Sequence, residues 1–145
     1  MLKGISPIIS PELLKILCEM GHGDEIVIAD GNFPVESVGK NAKVVRMDGH
    51  NVPEILKAVL ELIPLDQYVE KPVRLMDRVP GDSADVSVWK EYEKIISAAE
   101  GRGAESIELL ERFEFYRQAE RAYAIIATGE RRQYANVILK KGCVL

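Results

Sequence analysis

Four residues, Ile26-Val27-Ile28-Ala29, constrain this chain more than any others. They form an unbroken run of branched and small apolar side chains bounded by Asp24-Glu25 and Asp30-Gly31, which reads as a strand buried on both faces. A strand with no polar face belongs inside a sheet covered by helices on both sides. The expectation is an α/β protein: one domain over residues 1–145, a three-layer αβα-type fold with a mostly parallel sheet. Asp30 stands at the carboxyl end of this strand, and in open α/β sheets that edge is where ligands bind.

The rest of the chain alternates in the same sense. Ser10-Pro11-Glu12 supplies an N-cap, a proline at the first helical position and an early acid, and Leu13, Ile16, Leu17 and Met20 then predict a helix over about 11–20. A loop containing Phe33-Pro34 leads to a strand over 43–47. Asn51 and Glu54 form a variant capping box before the stripe Val52, Ile55, Leu56, Val59, Leu60 and Ile63, which Pro64 ends. A strand over 73–77 follows, then a helix from Ser87 or Val88 whose Trp89 and Tyr92 read as core or interface residues. Further expectations are a strand over 107–110, a helix over 112–121, a strand over 123–128, a polar turn, and a last strand over 134–139.

Bulk properties exclude several function classes. A length of 145 residues suffices for a core without disulfide or metal staples. A net charge of −4 gives no electrostatic reason to bind nucleic acid or an anionic membrane. No apolar run approaches the roughly 18 residues of a membrane span. The opening Met1–Pro7 lacks the apolar run of a secretory signal, so the expected location is the cytoplasm. Cys18 and Cys143 have neither metal-ligand nor redox-motif spacing and read as reduced thiols, Cys18 partly buried. With only His22 and His50, a site built from several imidazoles within one chain is excluded; a carboxylate-rich metal site is not, but no spacing points to one. Phosphate-loop, dinucleotide and serine-nucleophile motifs are missing from the sequence.

The chemistry-bearing groups fall in two places. His22 sits between Gly21 and Gly23, where the backbone can bend sharply and leave an imidazole reachable for acid/base work. Alternatively, Gly21 caps the preceding helix and His22 is an exposed loop residue. Asp30 is either a ligand at the strand end or an Asx residue starting a turn. Eight extended residues span up to about 26 Å, so His22 and Asp30 meet in one site only if the chain folds back at residues 31–34 or a neighbouring protomer contributes. Later in the chain, Arg112 precedes the aromatic cluster Phe113, Phe115 and Tyr116, and Tyr134-Ala135-Asn136 opens the last strand. Guanidinium, phenol and amide suit the hydroxyls and ring faces of a sugar, although a solvated charge and a β-forming tyrosine account for the same residues.

The segment Met20-Gly21-His22-Gly23-Asp24-Glu25-Ile26-Val27-Ile28-Ala29-Asp30-Gly31-Asn32-Phe33-Pro34 resembles the signature of the fucose mutarotase and ribose pyranase family. Ile5–Leu14, Arg112–Tyr116, Ala127–Glu130 and Tyr134–Gly142 extend the resemblance over most of the chain. The Gly21–Glu25 and Arg112–Tyr116 segments are closer to the fucose branch than to the ribose branch. Gly31 departs from the alanine common in the family, and Ala135 from the glycine of many fucose-type members. The resemblance implies a cofactor-free isomerase interconverting the α and β anomers of a free monosaccharide, L-fucose first. It also implies His22 as proton donor, with Asp30, Arg112 and Tyr134, Ala135 and Asn136 holding the substrate, and ring-shaped homo-oligomers, often decamers, with sites near subunit contacts. Tyr116 joins this set as the aromatic best placed on the helix to meet a sugar methyl group. The alternatives are a D-ribose pyranase and a non-catalytic sugar-binding accessory protein of a transport system.

Overall fold

The strand β1 (Glu25–Ala29) lies inside a six-stranded sheet of order β2-β5-β1-β6-β3-β4, in a computed structural model that describes residues 1–145. The other strands are β2 (Lys43–Met47), β3 (Val73–Met76), β4 (Ile107–Leu110), β5 (Ala124–Thr128) and β6 (Val137–Lys140). β1 runs parallel to β5, β5 to β2, and β3 to β4, while β6 runs antiparallel between β1 and β3. Ile26 and Ile28 point to one face and Val27 and Ala29 to the other, and all four are fully buried. Period-two alternation therefore sends one apolar strand into two separate cores.

The larger core lies under α1 (Pro11–Glu19), α3 (Val52–Leu60) and α4 (Val88–Glu100), and the smaller under α2 (Val35–Val38) and α5 (Arg112–Glu120). This is the three-layer α/β fold with a mostly parallel sheet. Local chemistry explains the helix starts. Ser10 accepts from the Leu13 N–H, and Asn51 and Glu54 close the reciprocal capping box at α3. No helix is long and apolar enough to cross a membrane.

Several boundaries differ from the sequence reading, each for a local reason. The last strand begins at Val137, not Tyr134, because Tyr134 adopts φ 54°, a left-handed conformation that ends an extended ladder. The turn α2, four residues long, occupies part of the expected loop. Met20, with extended backbone, caps α1 in place of Gly21, and the positive φ of 87° falls at Gly23. Cys18 is exposed rather than partly buried, since α1 turns Leu13, Ile16 and Leu17 inward.

Candidate active site

The carboxyl ends of β1, β3 and β4 and the amino end of antiparallel β6 share one edge of the sheet. The residues at or just beyond those ends, Asp30, Met76, Arg112 and Asn136, consequently converge there. With Asn32, Tyr116, Gln133 and Tyr134 they line an open cleft of about 420 Å³.

Asp30 is 5% exposed. Its backbone N–H donates to Asn136 Oδ1 at 2.7 Å, and its Oδ1 accepts from the Asn32 N–H at 3.0 Å. Burial pushes its carboxyl above the ordinary carboxylate value, while backbone N–H groups of Asn32, Ala135 and Phe33 oppose the rise. Asp30 is thus both an Asx-turn residue and a wall of the cleft. A Cβ at Gly31 would stand 3.1 Å from the Glu130 carbonyl, close enough that alanine there needs a small backbone shift.

Arg112 is the first residue of α5, whose Glu111 N-cap carboxylate accepts from the Phe113 and Glu114 N–H groups. Its guanidinium lies 5.9 Å from the centre of the Tyr116 ring and 5.3 Å from that of Phe113. Of the three aromatics on α5 only Tyr116 lines the cleft, against Phe33 at a centroid distance of 5.4 Å. Phe115 is fully buried in the smaller core, and Phe113 is 59% exposed.

Helix α4 secures the third group. Trp89 Nε1–H donates to the Tyr134 carbonyl at 2.8 Å, and the buried Tyr92 hydroxyl to the Ala135 carbonyl at 2.7 Å. These two bonds hold the backbone that presents Tyr134 and Asn136 to the cleft, and Ala135 itself is buried beneath it.

His22 is elsewhere. It precedes β1, at the amino edge of the sheet, whereas Asp30 follows β1 at the carboxyl edge. A strand of five residues places them about 16 Å or more apart. The chain does not fold back at residues 31–34, so that way of uniting His22 with Asp30 in one subunit fails. Instead His22 Nε2 lies 3.0 Å from Asp66 Oδ1, and its ring packs 5.4 Å from that of Tyr68. Asp66 is buried, 3% exposed at its side chain against 45% for His22. Burial raises its pKa, but the Tyr68 N–H, His22 and Lys140 together hold the carboxyl below its ordinary value. The carboxylate stays charged and fixes the imidazole through Nε2, leaving Nδ1 free.

Sequence reasoning missed Asp66, Tyr68, Asn32, Met76 and Gln133. Asn32, two residues beyond Asp30, was visible within the turn. Asp66 lies forty-four positions from His22, and no local pattern joins them.

Residues 3–144 match the model of the RbsD / FucU transport protein family. A fucose mutarotase from Mus musculus is 50% identical, the match covering 97% of this chain and 94% of that protein. The crystal structure of FucU from Bifidobacterium longum superposes with a TM-score of 0.97 at 62% identity, covering 99% of this chain and 100% of the other. The fucose mutarotase from Streptococcus pneumoniae, solved in complex with L-fucose, gives a TM-score of 0.92 at 48% identity, with the same coverage.

Proposed function

Because the chain belongs to the RbsD / FucU transport protein family, we propose that it catalyses interconversion of the α and β anomers of free L-fucose. The observation that carries this reading is the L-fucose complex of a relative 48% identical over nearly the whole chain. The cleft supports it, since a guanidinium, a carboxyl, an amide and a phenol surround a pocket with one aromatic wall, the donor and acceptor set that a monosaccharide requires.

Mutarotation needs a proton delivered to the ring oxygen while one leaves the anomeric hydroxyl. The bond from C1 to the ring oxygen then breaks, the C1 carbonyl forms, and closure on its other face inverts C1. His22, oriented by Asp66, is the proton donor. Asp30, Arg112, Tyr134 and Asn136 hold the hydroxyls, and Tyr116 faces the methyl group. Imidazole suits both giving and taking a proton near neutral pH.

His22 and the cleft occupy opposite edges of one subunit, so the reading requires the His22 edge of one protomer to meet the cleft of the next. Such head-to-tail contacts close into rings, and a decamer of stacked rings satisfies them. A solution mass equal to one chain together with full activity would exclude this arrangement. Residence in the cytoplasm is part of the same reading, supported by the two unpaired cysteines.

Saturation-transfer NMR on the anomeric signals of L-fucose and D-ribose tests the function. The expected result is exchange above buffer on L-fucose, exceeding that on D-ribose. Exchange confined to D-ribose moves the chain to the ribose reaction, and L-fucose binding without exchange makes it an accessory sugar-binding protein.

A second expectation concerns the methyl group. Tyr116→Ala should lower exchange on L-fucose by about tenfold or more, the worth of a methyl contact in an apolar pocket. The loss on D-arabinose, which shares the ring hydroxyl configuration of L-fucose and lacks that methyl, should be smaller. Equal losses on the two sugars would reject Tyr116 as the methyl wall.

A further inference from the structure

Tyr134 is the one non-glycine residue with positive φ, and its hydroxyl reaches out of the cleft to the segment joining β3 to α4. The hydroxyl donates to Asp82 Oδ2 at 2.6 Å and accepts from the Val79 N–H at 3.3 Å. Asp82 is held in turn, its Oδ1 accepting from the Ala84 N–H at 2.8 Å and its own N–H donating to the Val79 carbonyl at 2.9 Å. A phenol has one proton to donate and two lone pairs. The proton is committed to Asp82 and one lone pair to Val79, which leaves a single lone pair for a bound molecule.

We propose that Asp82 is a positioning residue that makes the Tyr134 hydroxyl an acceptor-only group, so that Tyr134 receives a hydrogen bond from a sugar hydroxyl and cannot donate to a ring or carbonyl oxygen. This rests on the mutarotase reading above and assigns the sense of one contact within it. Three observations point the same way. Trp89 donates to the Tyr134 carbonyl and holds the left-handed backbone from which the phenol projects toward Asp82. The bond to Asp82 is short and ends on a carboxylate, the stronger class of hydrogen bond. The Asp82 charge also holds the phenol proton in place, pushing the Tyr134 pKa above its ordinary value, while the bond from Tyr134 holds the Asp82 carboxyl below its own. An acceptor fixed in this way distinguishes the hydroxyl end of the reacting centre from the ring oxygen, which has no proton to offer.

The test is a cycle of variants read by saturation-transfer exchange on L-fucose: the parent chain, Asp82→Ala, Asp82→Asn, Tyr134→Phe, and Asp82→Ala with Tyr134→Phe. Loss of a hydrogen bond to a charged group predicts about a tenfold fall in kcat/KM for Asp82→Ala. Asp82→Asn keeps an amide oxygen that accepts the same proton and should recover most of the loss. The double variant should be no slower than Tyr134→Phe alone, because Asp82 acts only through the phenol. Parent-like exchange in Asp82→Ala overturns the proposal, and so do additive losses in the double variant or an Asp82→Asn as slow as Asp82→Ala. A parent chain without exchange overturns the mutarotase reading and this proposal with it. An active parent with an insensitive Asp82 overturns this proposal alone.

Discussion

His22→Ala should lose anomer exchange by a factor on the order of 10² or more while keeping its fold, the range expected for removal of a general acid. The side chain is half exposed, and its polar partner is Asp66, which retains the Tyr68 N–H and Lys140 when the imidazole is gone. Circular dichroism and thermal unfolding should therefore stay close to the parent, separating a chemical loss from a structural one. The same variant tests where the site is assembled. Arg112→Ala removes a cleft residue and should also be inactive, yet the two defects lie at opposite edges of the sheet. If neighbouring protomers complete each site, unfolding and refolding the two variants together should restore activity at about a quarter of the sites, those pairing an intact His22 edge with an intact cleft. No recovery on mixing would argue against the shared site, and near-normal exchange in His22→Ala alone would remove this residue from the reaction.

Phe115→Ala carries the largest expected effect on stability, about 3–5 kcal/mol, the usual cost of deleting a buried phenyl ring from a packed core. Phe115 is fully buried, meets Phe33 edge to face at 6.1 Å, and joins Val27, Ile125 and Ile138 in the smaller core. Only Phe115 and Ala119 anchor α5 to the sheet by full burial, so their loss frees the element that carries Arg112 and Tyr116. Activity should fall on L-fucose and D-arabinose alike, unlike the selective loss expected of Tyr116→Ala. Phe113→Ala is the control: its side chain is largely exposed, and its stability should stay within about 0.5 kcal/mol of the parent. Urea midpoints compared at constant slope measure both variants. An unchanged midpoint for Phe115→Ala would refute the anchoring role.

The sequence by itself determined the elements and the layer architecture. Ile26–Ala29 announced a strand covered on both faces, Asn51 and Glu54 a capped helix, and Ser10-Pro11 the start of another, because such signals lie within a few residues and act through local backbone chemistry. It also placed Asp30 at the carboxyl edge of a strand and Arg112 at a helix start, which suffices to bring both to the cleft once the sheet is assembled. Tertiary structure alone decided three matters. The antiparallel insertion of β6 between β1 and β3 set Asn136 beside Asp30, and no local pattern specifies which strands pair. The left-handed backbone of Tyr134, paired with Trp89 and Asp82 from distant segments, overrode the β preference of its side chain. The partner of His22, Asp66, comes from forty-four positions away, whereas the separation of His22 from Asp30 already follows from the extended span between them.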